Sequence, residues 1–246
     1  MRRKRDGIGQ SIDVYYRDTA RTQRMDRLNA QFISKGGLAF DIGAHIGDRT
    51  ASFLRLGASV VALEPQPRVF RALRLIHGRA PRATLLCQAV GAELGQIDMY
   101  LNSKNPTIST ASSDLVEAAK RSPNWKGQEW DAQVRVPMTT LDRLIACYGM
   151  PDFVKIDVEG YEAKALAGLS IPLPMLSFEF TTIQRDVAYA CIDRLSEIGR
   201  FAFNVSLSED HKLRHTDWIS GNEMSAEIET LPEQANSGDI YARRLN

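Results

Sequence analysis

The sequence predicts an α/β fold in which helices cover both faces of a mostly parallel sheet. The chain has 246 residues, of which 43% are hydrophobic, and this is enough for one sizeable core. From Gly37 onwards, short apolar runs alternate with amphipathic segments. The runs are apolar on both faces, which is typical of parallel strands buried between two helical layers. Charged residues make up 25% of the chain, an ordinary globular value that argues against a disordered or fibrous protein.

The first predicted elements precede the sheet, in an N-terminal arm that we assign to residues 1–35. Residues 11–34 contain no Gly or Pro, and apolar residues from Ile12 to Phe32 recur at roughly helical spacing. This spacing predicts one or two amphipathic helices that pack on the body of the protein. We expect the arginines of the arm to lie on a solvated helix face, with a role in substrate gating or partner binding as the alternative.

Strands and helices then alternate through the domain that we assign to residues 36–246. Its first part contains predicted strands at 38–43, 59–65, 83–90 and 95–102, with helices at 45–57 and 67–78. Gly57 ends the first of these helices, whereas Pro67 begins the second and Gly78 ends it, as helix-terminus preferences favour.

The second part of this domain follows the least patterned stretch, residues 103–131, which we interpret as an insertion and a candidate lid. Residues 134–149 are predicted to form a strand that leads into a helix. The remaining predicted elements are strands at 152–160, 173–180, 201–207 and 239–245, and helices at 161–169 and 184–199.

Charge and cysteine patterns restrict the classes of partner and compartment. The formal net charge is +1, so the whole chain offers no argument for nucleic-acid binding. Residues 1–35 carry nine basic and four acidic side chains, whereas the rest carry 22 and 26; a basic arm therefore precedes a mildly acidic body. No apolar run approaches the roughly 20 residues of a membrane span, and polar residues follow the basic start where a signal peptide would be apolar. Three widely spaced cysteines without a C-x-x-C pair predict reduced core or half-buried thiols in a cytoplasmic protein.

The strongest motif is F-D-I-G-A-H-I-G, at the end of the first strand of the domain. An apolar strand runs into Asp41 and then into a turn that contains Gly43, Ala44 and Gly47. Glycines at such a turn let a ligand approach the backbone in front of a helix N-terminus. Glu64 ends the next strand, 21 residues after Gly43, where an acid suits both hydroxyls of an adenosine ribose. The pattern therefore predicts a nucleoside-binding half.

Spacing and charge distinguish between nucleoside cofactors. A dinucleotide site presents three glycines as G-x-G-x-x-G to a diphosphate, whereas the spacing here is G-x-x-x-G. Asp41 would repel a diphosphate, but it would attract the ammonium and sulfonium groups of S-adenosylmethionine at low effective dielectric. The sequence thus favours S-adenosylmethionine over NAD, and a tight turn without any ligand is the structural alternative.

The same residues carry a resemblance to the FkbM-type S-adenosylmethionine-dependent methyltransferases. The similar segments are D-I-G-A-H-I-G, A-L-E-P-Q-P, Q-A-V-G, T-T-L-D and F-V-K-I-D-V-E-G-Y-E-A-K-A-L-A-G-L, between about Gly36 and Thr181, with G-D-I-Y-A-R-R near the C-terminus. The resemblance implies a Rossmann-like class I methyltransferase fold with seven strands, the last of them antiparallel. Characterised members are mostly O-methyltransferases that act on hydroxyls of polyketides, sugars and other secondary metabolites.

The resemblance also implies individual roles around the cofactor. The methionine part is assigned to Asp41, Gly43, Ala44 and Gly47. The ribose is assigned to Glu64, and the adenosine and adenine to Pro65, Gln66, Gln88, Ala89 and Val90. His45 occupies a position where many relatives have Asn, which favours a cofactor-contacting or turn-stabilising imidazole over a general base.

Three acids follow strands whose carboxyl ends should border the methyl acceptor. Methyl transfer needs an acceptor oxygen near ~3 Å from the sulfonium methyl, and it needs removal of the acceptor proton. Asp157 and Glu159, in K-I-D-V-E-G, would share one face of an extended strand, and Glu179 lies at the end of S-F-E-F. Neighbouring carboxyl groups that are partly desolvated have raised pKa values, so all three are candidate catalytic bases.

Other roles for these acids stay open at the level of sequence. Asp157 could hold the ammonium group of the cofactor, and Glu159 could cap the helix that follows it. The three carboxylates could instead hold Mg²⁺ together with substrate oxygens, although we expect no metal to be required. Lys155 could pair with one of these acids or contact the substrate.

The predicted function is S-adenosylmethionine-dependent O-methylation of a sugar, glycolipid or polyketide-like small molecule, with S-adenosylhomocysteine as product. The alternatives are a methyltransferase acting on protein or nucleic acid, an NAD-linked oxidoreductase, and a cofactor-binding module without catalysis. An amino-adenine methylase would place Asp/Asn-Pro-Pro-aromatic where this chain has Asp-Val-Glu-Gly, so nucleic acid is not expected as a partner. The sequence does not decide between a monomer and a homo-oligomer.

Overall fold

A seven-stranded sheet forms the centre of the computed structural model, which describes residues 7–245. The strands of these residues are β1 (Leu38–Ile42), β2 (Ser59–Leu63), β3 (Ala83–Leu86), β4 (Ala89–Val90), β5 (Gly95–Leu101), β6 (Ala132–Thr139), β7 (Phe153–Ile156), β8 (Met175–Thr181), β9 (Phe201–Leu207) and β10 (Ser237–Arg244). The main sheet has the order β3-β2-β1-β7-β8-β10-β9. β10 runs antiparallel to β8 and β9, and the other neighbours are parallel. The predicted Rossmann-like, mostly parallel seven-stranded sheet is therefore confirmed.

Helices cover both faces of this sheet. The α-helices of the described residues are α1 (Gly7–Arg17), α2 (Thr19–Asn29), α3 (Asp48–Arg55), α4 (Pro67–His77), α5 (Ser113–Arg121), α6 (Leu141–Tyr148), α7 (Glu162–Ala167), α8 (Arg185–Ile198) and α9 (Gly221–Thr230). Side chains of α6, α7, α8 and α9 form one apolar core with the strands. Side chains of α2, α3 and α4 form a second core, which contains Phe53, Phe153 and Tyr241. These two cores are the layers that strands apolar on both faces require.

The register of the sheet gathers polar residues near its centre. Asp41 of β1 lies beside Lys155 of β7, and Glu179 of β8 lies beside Asp239 of β10. All four lie towards the sheet edge where the parallel strands have their carboxyl ends. This is the edge at which ligands of open α/β sheets bind.

A second, smaller sheet has the order β4-β6-β5. The single strand predicted at 83–90 is therefore wrong: β3 pairs with β2 in the main sheet, whereas β4 pairs with β6 in the small one. The chain changes sheets at Cys87 and Gln88, which are outside both strands. An unbroken apolar run does not reveal such a change, because its periodicity is the same in either sheet.

The 103–131 stretch is more ordered than its sequence pattern indicates. It contains α5, which Ser112 caps by accepting a hydrogen bond from the backbone N–H of Leu115. Trp125 and Trp130 stack with ring centroids 6.4 Å apart, and the Trp130 indole N–H donates to the carbonyl of Ile108. These contacts anchor the insertion, and its role as a lid stays a prediction.

The predicted amphipathic helices of the N-terminal arm are present as α1 and α2. Met25 and Leu28 of α2 are buried against the body. Four of the arm's nine basic residues (Arg2, Arg3, Lys4 and Arg5) lie outside the described residues. Arg21 is only 4% exposed, so the expected solvated helix face is wrong for this arginine.

All three cysteines lie within the described residues. Cys87, Cys147 and Cys191 are free thiols. Cys191 is buried and Cys87 is half-buried, but Cys147 is exposed, which corrects the expectation for that residue. Within residues 7–245, no helix combines the length and the apolar character that crossing a membrane demands.

Candidate active site

A cavity opens where the carboxyl ends of β1, β2, β7 and β8 meet. Its empty volume is about 1040 Å³, a figure that includes open solvent at the mouth. The cavity contains every residue that the sequence analysis assigned to the cofactor or to catalysis, except Gly47: Asp41, Gly43, Ala44, His45, Glu64, Pro65, Gln66, Gln88, Ala89, Val90, Asp157, Glu159 and Glu179. The structure thus brings these residues together, and their individual roles stay predictions.

The glycine turn after β1 packs too tightly for side chains. Gly43 has φ +82°, and a Cβ atom there would collide with the carbonyl oxygen of Asp157. Gly47 has φ +87°, and a Cβ atom there would meet the imidazole of His77. The amides of Gly43 and Ala44 both donate to the carbonyl of Leu63. The turn therefore lies directly against the carboxyl ends of β2 and β7. Gly43, Ala44 and His45 of the turn line the cavity.

Glu64 is tied to the same turn. Its carboxylate accepts hydrogen bonds from the backbone N–H of His45 at 3.0 Å and of Gln66 at 2.7 Å. Burial raises the pKa of Glu64 to about 7, although these hydrogen bonds oppose the shift. Each carboxylate oxygen keeps a further lone pair, so the predicted pairing with ribose hydroxyls is compatible with the observed contacts.

Asp41 is a buried carboxyl group on the floor of the cavity. Its side chain accepts a hydrogen bond of 2.5 Å from the Thr50 hydroxyl. Burial raises the pKa of Asp41 to about 6. A cationic group bound beside it would compensate the buried negative charge, which is the chemistry predicted for the ammonium group of the cofactor.

His45 stands in the glycine turn with an unusual backbone conformation, φ +50°. Burial lowers the pKa of its imidazole to about 4, so the ring is neutral near pH 7. Both ring nitrogens are buried, and neither has a hydrogen-bond partner within residues 7–245. The imidazole therefore offers one donor and one acceptor to a ligand in the cavity.

Asp157, Glu159 and Glu179 form a carboxylate cluster. Each contributes an oxygen, and these oxygens all lie within 4.8 Å of one another. Burial raises the pKa of Glu159 and of Glu179 well above the ordinary value, and the negative charge of Asp157 raises both further. The oxygens also lie close enough together to ligate a divalent cation, and the expectation that no metal is required stays a prediction.

The geometry by which Glu159 joins the cluster differs from the prediction. β7 ends at Ile156, and Glu159 has φ +53° in a turn rather than an extended strand. The Thr110 hydroxyl donates to the Glu159 carbonyl at 2.6 Å, which fixes this turn to the insertion. The alternative role as a helix cap is also wrong, because Tyr161 holds the N-cap position of α7 and no side-chain hydrogen bond caps this helix.

Lys155 is a buried cation beneath the cluster. Its Nζ lies 2.7 Å from Oδ1 of Asp239 and 3.2 Å from Oδ2 of Asp157, and its side chain is 2% exposed. Burial alone would lower the pKa of Lys155, but the two carboxylates outweigh burial and raise it. Of the two sequence-based alternatives, pairing with acids is therefore the one observed.

Sequence reasoning missed several charged and aromatic residues around the mouth. Tyr15, Arg21, Asp48, Arg49 and Glu209 all line the cavity. Asp48 and Arg49 directly follow the glycine turn, and their position at the start of α3 was a usable signal. Tyr15, Arg21 and Glu209 come from segments distant in sequence, and no local pattern marks them.

Comparison with known families gives one match. The family described as Methyltransferase FkbM domain matches residues 41–190, which include the glycine turn, Glu64 and the carboxylate cluster. A search of curated proteins finds no match.

Solved structures of several methyltransferases, and of a spermidine synthase from Thermotoga maritima, are similar to this chain at TM-scores below 0.5. A precorrin-6y C5,15-methyltransferase from Geobacter metallireducens has 13% identity, covers 90% of this chain and 88% of its own, and has a TM-score of 0.47. A TehB-like methyltransferase from Corynebacterium glutamicum has 11% identity, coverage of 96% and 97%, and a TM-score of 0.47. An O-methyltransferase from Bacillus cereus, in complex with S-adenosylhomocysteine, has 12% identity, coverage of 97% and 90%, and a TM-score of 0.47. These likenesses are too distant for the substrates of those enzymes to bear on this chain.

Proposed function

Because this chain belongs to the FkbM family of S-adenosylmethionine-dependent methyltransferases, we propose that it methylates a hydroxyl oxygen of a small molecule or sugar. The observation that carries this proposal is the cluster of Asp157, Glu159 and Glu179, which shares one cavity with the glycine turn. A hydroxyl must lose its proton as its oxygen attacks the methyl carbon. A buried carboxyl group with a raised pKa is a base suited to that task near neutral pH.

The cofactor would lie along the turn and the end of β2. When bound, S-adenosylmethionine supplies an electrophilic methyl group on a sulfonium centre. The buried carboxylate of Asp41 suits the ammonium group, and Gly43, which has no side chain, lines the cavity where the methionine part would lie. The two ring nitrogens of His45, which have no hydrogen-bond partner within residues 7–245, can bind the carboxylate of the cofactor or an ordered water. Glu64 suits the ribose, with the adenosine end bordered by Pro65, Gln66, Gln88, Ala89 and Val90.

The proton of the acceptor would pass to Glu159 or Glu179. Bound S-adenosylmethionine would supply the methyl group that the oxygen takes up, and the carboxylate would keep the proton until solvent removes it. Asp157 assists by raising the proton affinity of both glutamates. Lys155 stays positively charged and holds Asp157 in place at 3.2 Å.

The charge of the cavity supports a small acceptor without phosphate over nucleic acid. Seven carboxyl side chains line it against three basic ones, Arg21, Arg49 and Lys155. A phosphate backbone needs basic contacts, and this excess of acids would repel it. We therefore propose that the acceptor is an uncharged alcohol and that no nucleic acid is bound.

A methyl-transfer assay tests this proposal. S-adenosylmethionine is supplied with a panel of methyl glycosides, glycolipid fragments and polyketide-like alcohols, together with matched amines, thiols and an oligonucleotide. Methylation confined to alcohols supports the proposal, whereas methylation of the amines or the oligonucleotide alone would contradict it. A chelator in a parallel series tests metal dependence, and we expect no loss of rate.

Variants then locate the base. Glu159→Gln and Glu179→Gln should each lower kcat by about 100-fold, because one removes the base and the other removes the neighbour that tunes it. The exposed Glu197→Gln on α8 is the matched control and should keep the wild-type rate. Full activity in both cluster variants would place the base elsewhere.

A further inference from the structure

The N-terminal arm contributes to the cavity from outside the region that defines the family. Tyr15 of α1 and Arg21 of α2 line the cavity, whereas the family match begins at residue 41. The family domain therefore does not account for this part of the wall.

We infer that Tyr15 contacts the methyl acceptor and that Arg21 positions Tyr15, so that the arm determines acceptor specificity. This inference rests on the proposed methyl transfer, since the acceptor must share the cavity with the cofactor.

Tyr15 lies beside His45 of the glycine turn, close enough to Asp157 of the carboxylate cluster to feel its charge. Its ring meets the imidazole of His45 edge-on, with centroids 6.0 Å apart. Burial raises the pKa of its phenol, and the negative charges of Asp48, Glu209 and Asp157 raise it further. The phenol therefore stays protonated and can donate a hydrogen bond, and its ring offers an apolar surface. Seven carboxyl groups share the wall with it, and an ionised carboxylate accepts hydrogen bonds only.

Arg21 holds this ring through contacts to two other segments. Its guanidinium carbon lies 4.9 Å from the centroid of the Tyr15 ring. One terminal nitrogen donates to Asp48 Oδ2 at 2.9 Å and to Glu209 Oε2 at 2.6 Å, and Nε donates to the same Glu209 oxygen at 3.0 Å. Glu209, like Arg21, lies outside the family match. The arrangement is thus a charged junction of the arm, the start of α3 and the segment after β9.

Other contacts dock the arm independently of Tyr15. The Tyr16 hydroxyl donates to the carbonyl of Ile46 at 2.9 Å, and the Asn29 amide donates to the Ser52 hydroxyl at 2.9 Å. Arg55 binds Asp26 through two nitrogens. Truncation of Tyr15 should therefore change the wall of the cavity while α1 and α2 stay in place.

Steady-state kinetics and cofactor binding test the role of Tyr15. For the best acceptor of the panel, Tyr15→Ala should raise KM by about tenfold, and Tyr15→Phe by about threefold, because the first removes ring and hydroxyl and the second only the hydroxyl. The Kd for S-adenosylhomocysteine, measured by calorimetry, should change by less than about twofold. Arg27→Ala, an exposed arginine of the same arm, is the control and should match the wild type.

Two results would overturn the role of Tyr15. An equal loss of cofactor and acceptor affinity would make Tyr15 a cofactor contact, and wild-type values for both would remove it from the site. The kinetic comparison of the variants is repeated with the amines and thiols of the panel. Acceptor binding is also measured by ligand-observed NMR on the protein saturated with S-adenosylhomocysteine. If the protein methylates an amine or a thiol instead, the oxygen proposal fails, and the Tyr15 variants still test the role of the arm with that acceptor.

Hydrogen exchange and kinetics together test the role of Arg21. Arg21→Ala should accelerate amide exchange in α1 and raise the acceptor KM as Tyr15→Ala does, and Arg21→Lys should restore part of both. Arg27→Ala should change neither. Unchanged amide exchange in α1 together with an unchanged acceptor KM in Arg21→Ala would refute the positioning role. The exchange measurement itself needs no acceptor.

Discussion

Replacement of Lys155 by Met tests the electrostatic organisation beneath the carboxylate cluster. The Lys155 ammonium lies 2.7 Å from Asp239 and 3.2 Å from Asp157. At an effective dielectric constant of about 20, these distances correspond to attractions of about 6 and about 5 kcal/mol. The desolvation of Lys155 offsets much of this attraction, and the Asp157 side chain is 35% exposed, so solvent weakens its share.

The variant leaves Asp239 buried, and Arg49 at 3.6 Å is then its one ion-pair partner among residues 7–245. Removal of one partner from a buried ion pair typically costs about 3–5 kcal/mol, and we expect a loss of unfolding free energy in that range. Equilibrium unfolding in urea, followed by circular dichroism near neutral pH, measures the loss. Lys120→Met removes a pair with Glu117 that is exposed to solvent, and it should cost much less stability than Lys155→Met.

A double variant separates the ion pair from simple packing. Asp239→Asn combined with Lys155→Met removes both charges. The double variant should therefore lose less unfolding free energy than the sum of the losses in the two single variants. A Lys155→Met loss no larger than that of Lys120→Met would refute the assignment of Lys155 as the compensating cation.

The other predictions concern the cofactor turn, Glu64 and the base. Gly43→Ala should abolish S-adenosylhomocysteine binding in calorimetry, because its Cβ would collide with Asp157, whereas Gly127→Ala shares the positive φ but has open space and should bind normally. Glu64→Gln should weaken that binding by about tenfold or more, since charge-assisted hydrogen bonds are lost; an unchanged Kd would contradict the ribose role. Between about pH 8 and about pH 6, wild-type affinity should fall as Glu64, with a pKa of about 7, takes up a proton, and the fall should be smaller in Glu64→Gln, in which Asp41, with a pKa of about 6, still titrates. The rate should rise with pH through the raised pKa values of Glu159 and Glu179, because the base must be ionised; a rate independent of pH on the acid side of neutrality would exclude both.

Local sequence predicted which residues gather around the cavity, because each part depends on short-range chemistry. The glycine turn follows directly from a buried strand, and Glu64 ends the next strand. Parallel strands present their carboxyl ends at one edge, so acids after β7 and β8 could be expected near the turn. The cluster of Asp157, Glu159 and Glu179 is the result.

Features that depend on long-range packing were not predictable. Arg21 and Glu209 are 188 positions apart, and nothing local in either segment indicates the pairing. The turn at Glu159 escaped prediction because its positive φ is stabilised by Thr110 of the insertion. The split of residues 83–90 between two sheets depends on β6, some 50 positions later in the chain.

Calorimetric titration of the wild-type protein with S-adenosylhomocysteine and with NAD tests the central claim most directly. The cavity is proposed to hold a cationic nucleoside cofactor beside Asp41, and a diphosphate would be repelled there. We expect saturable binding of one S-adenosylhomocysteine per chain and no heat of binding with NAD. Saturable NAD binding, with none for S-adenosylhomocysteine, would contradict the account.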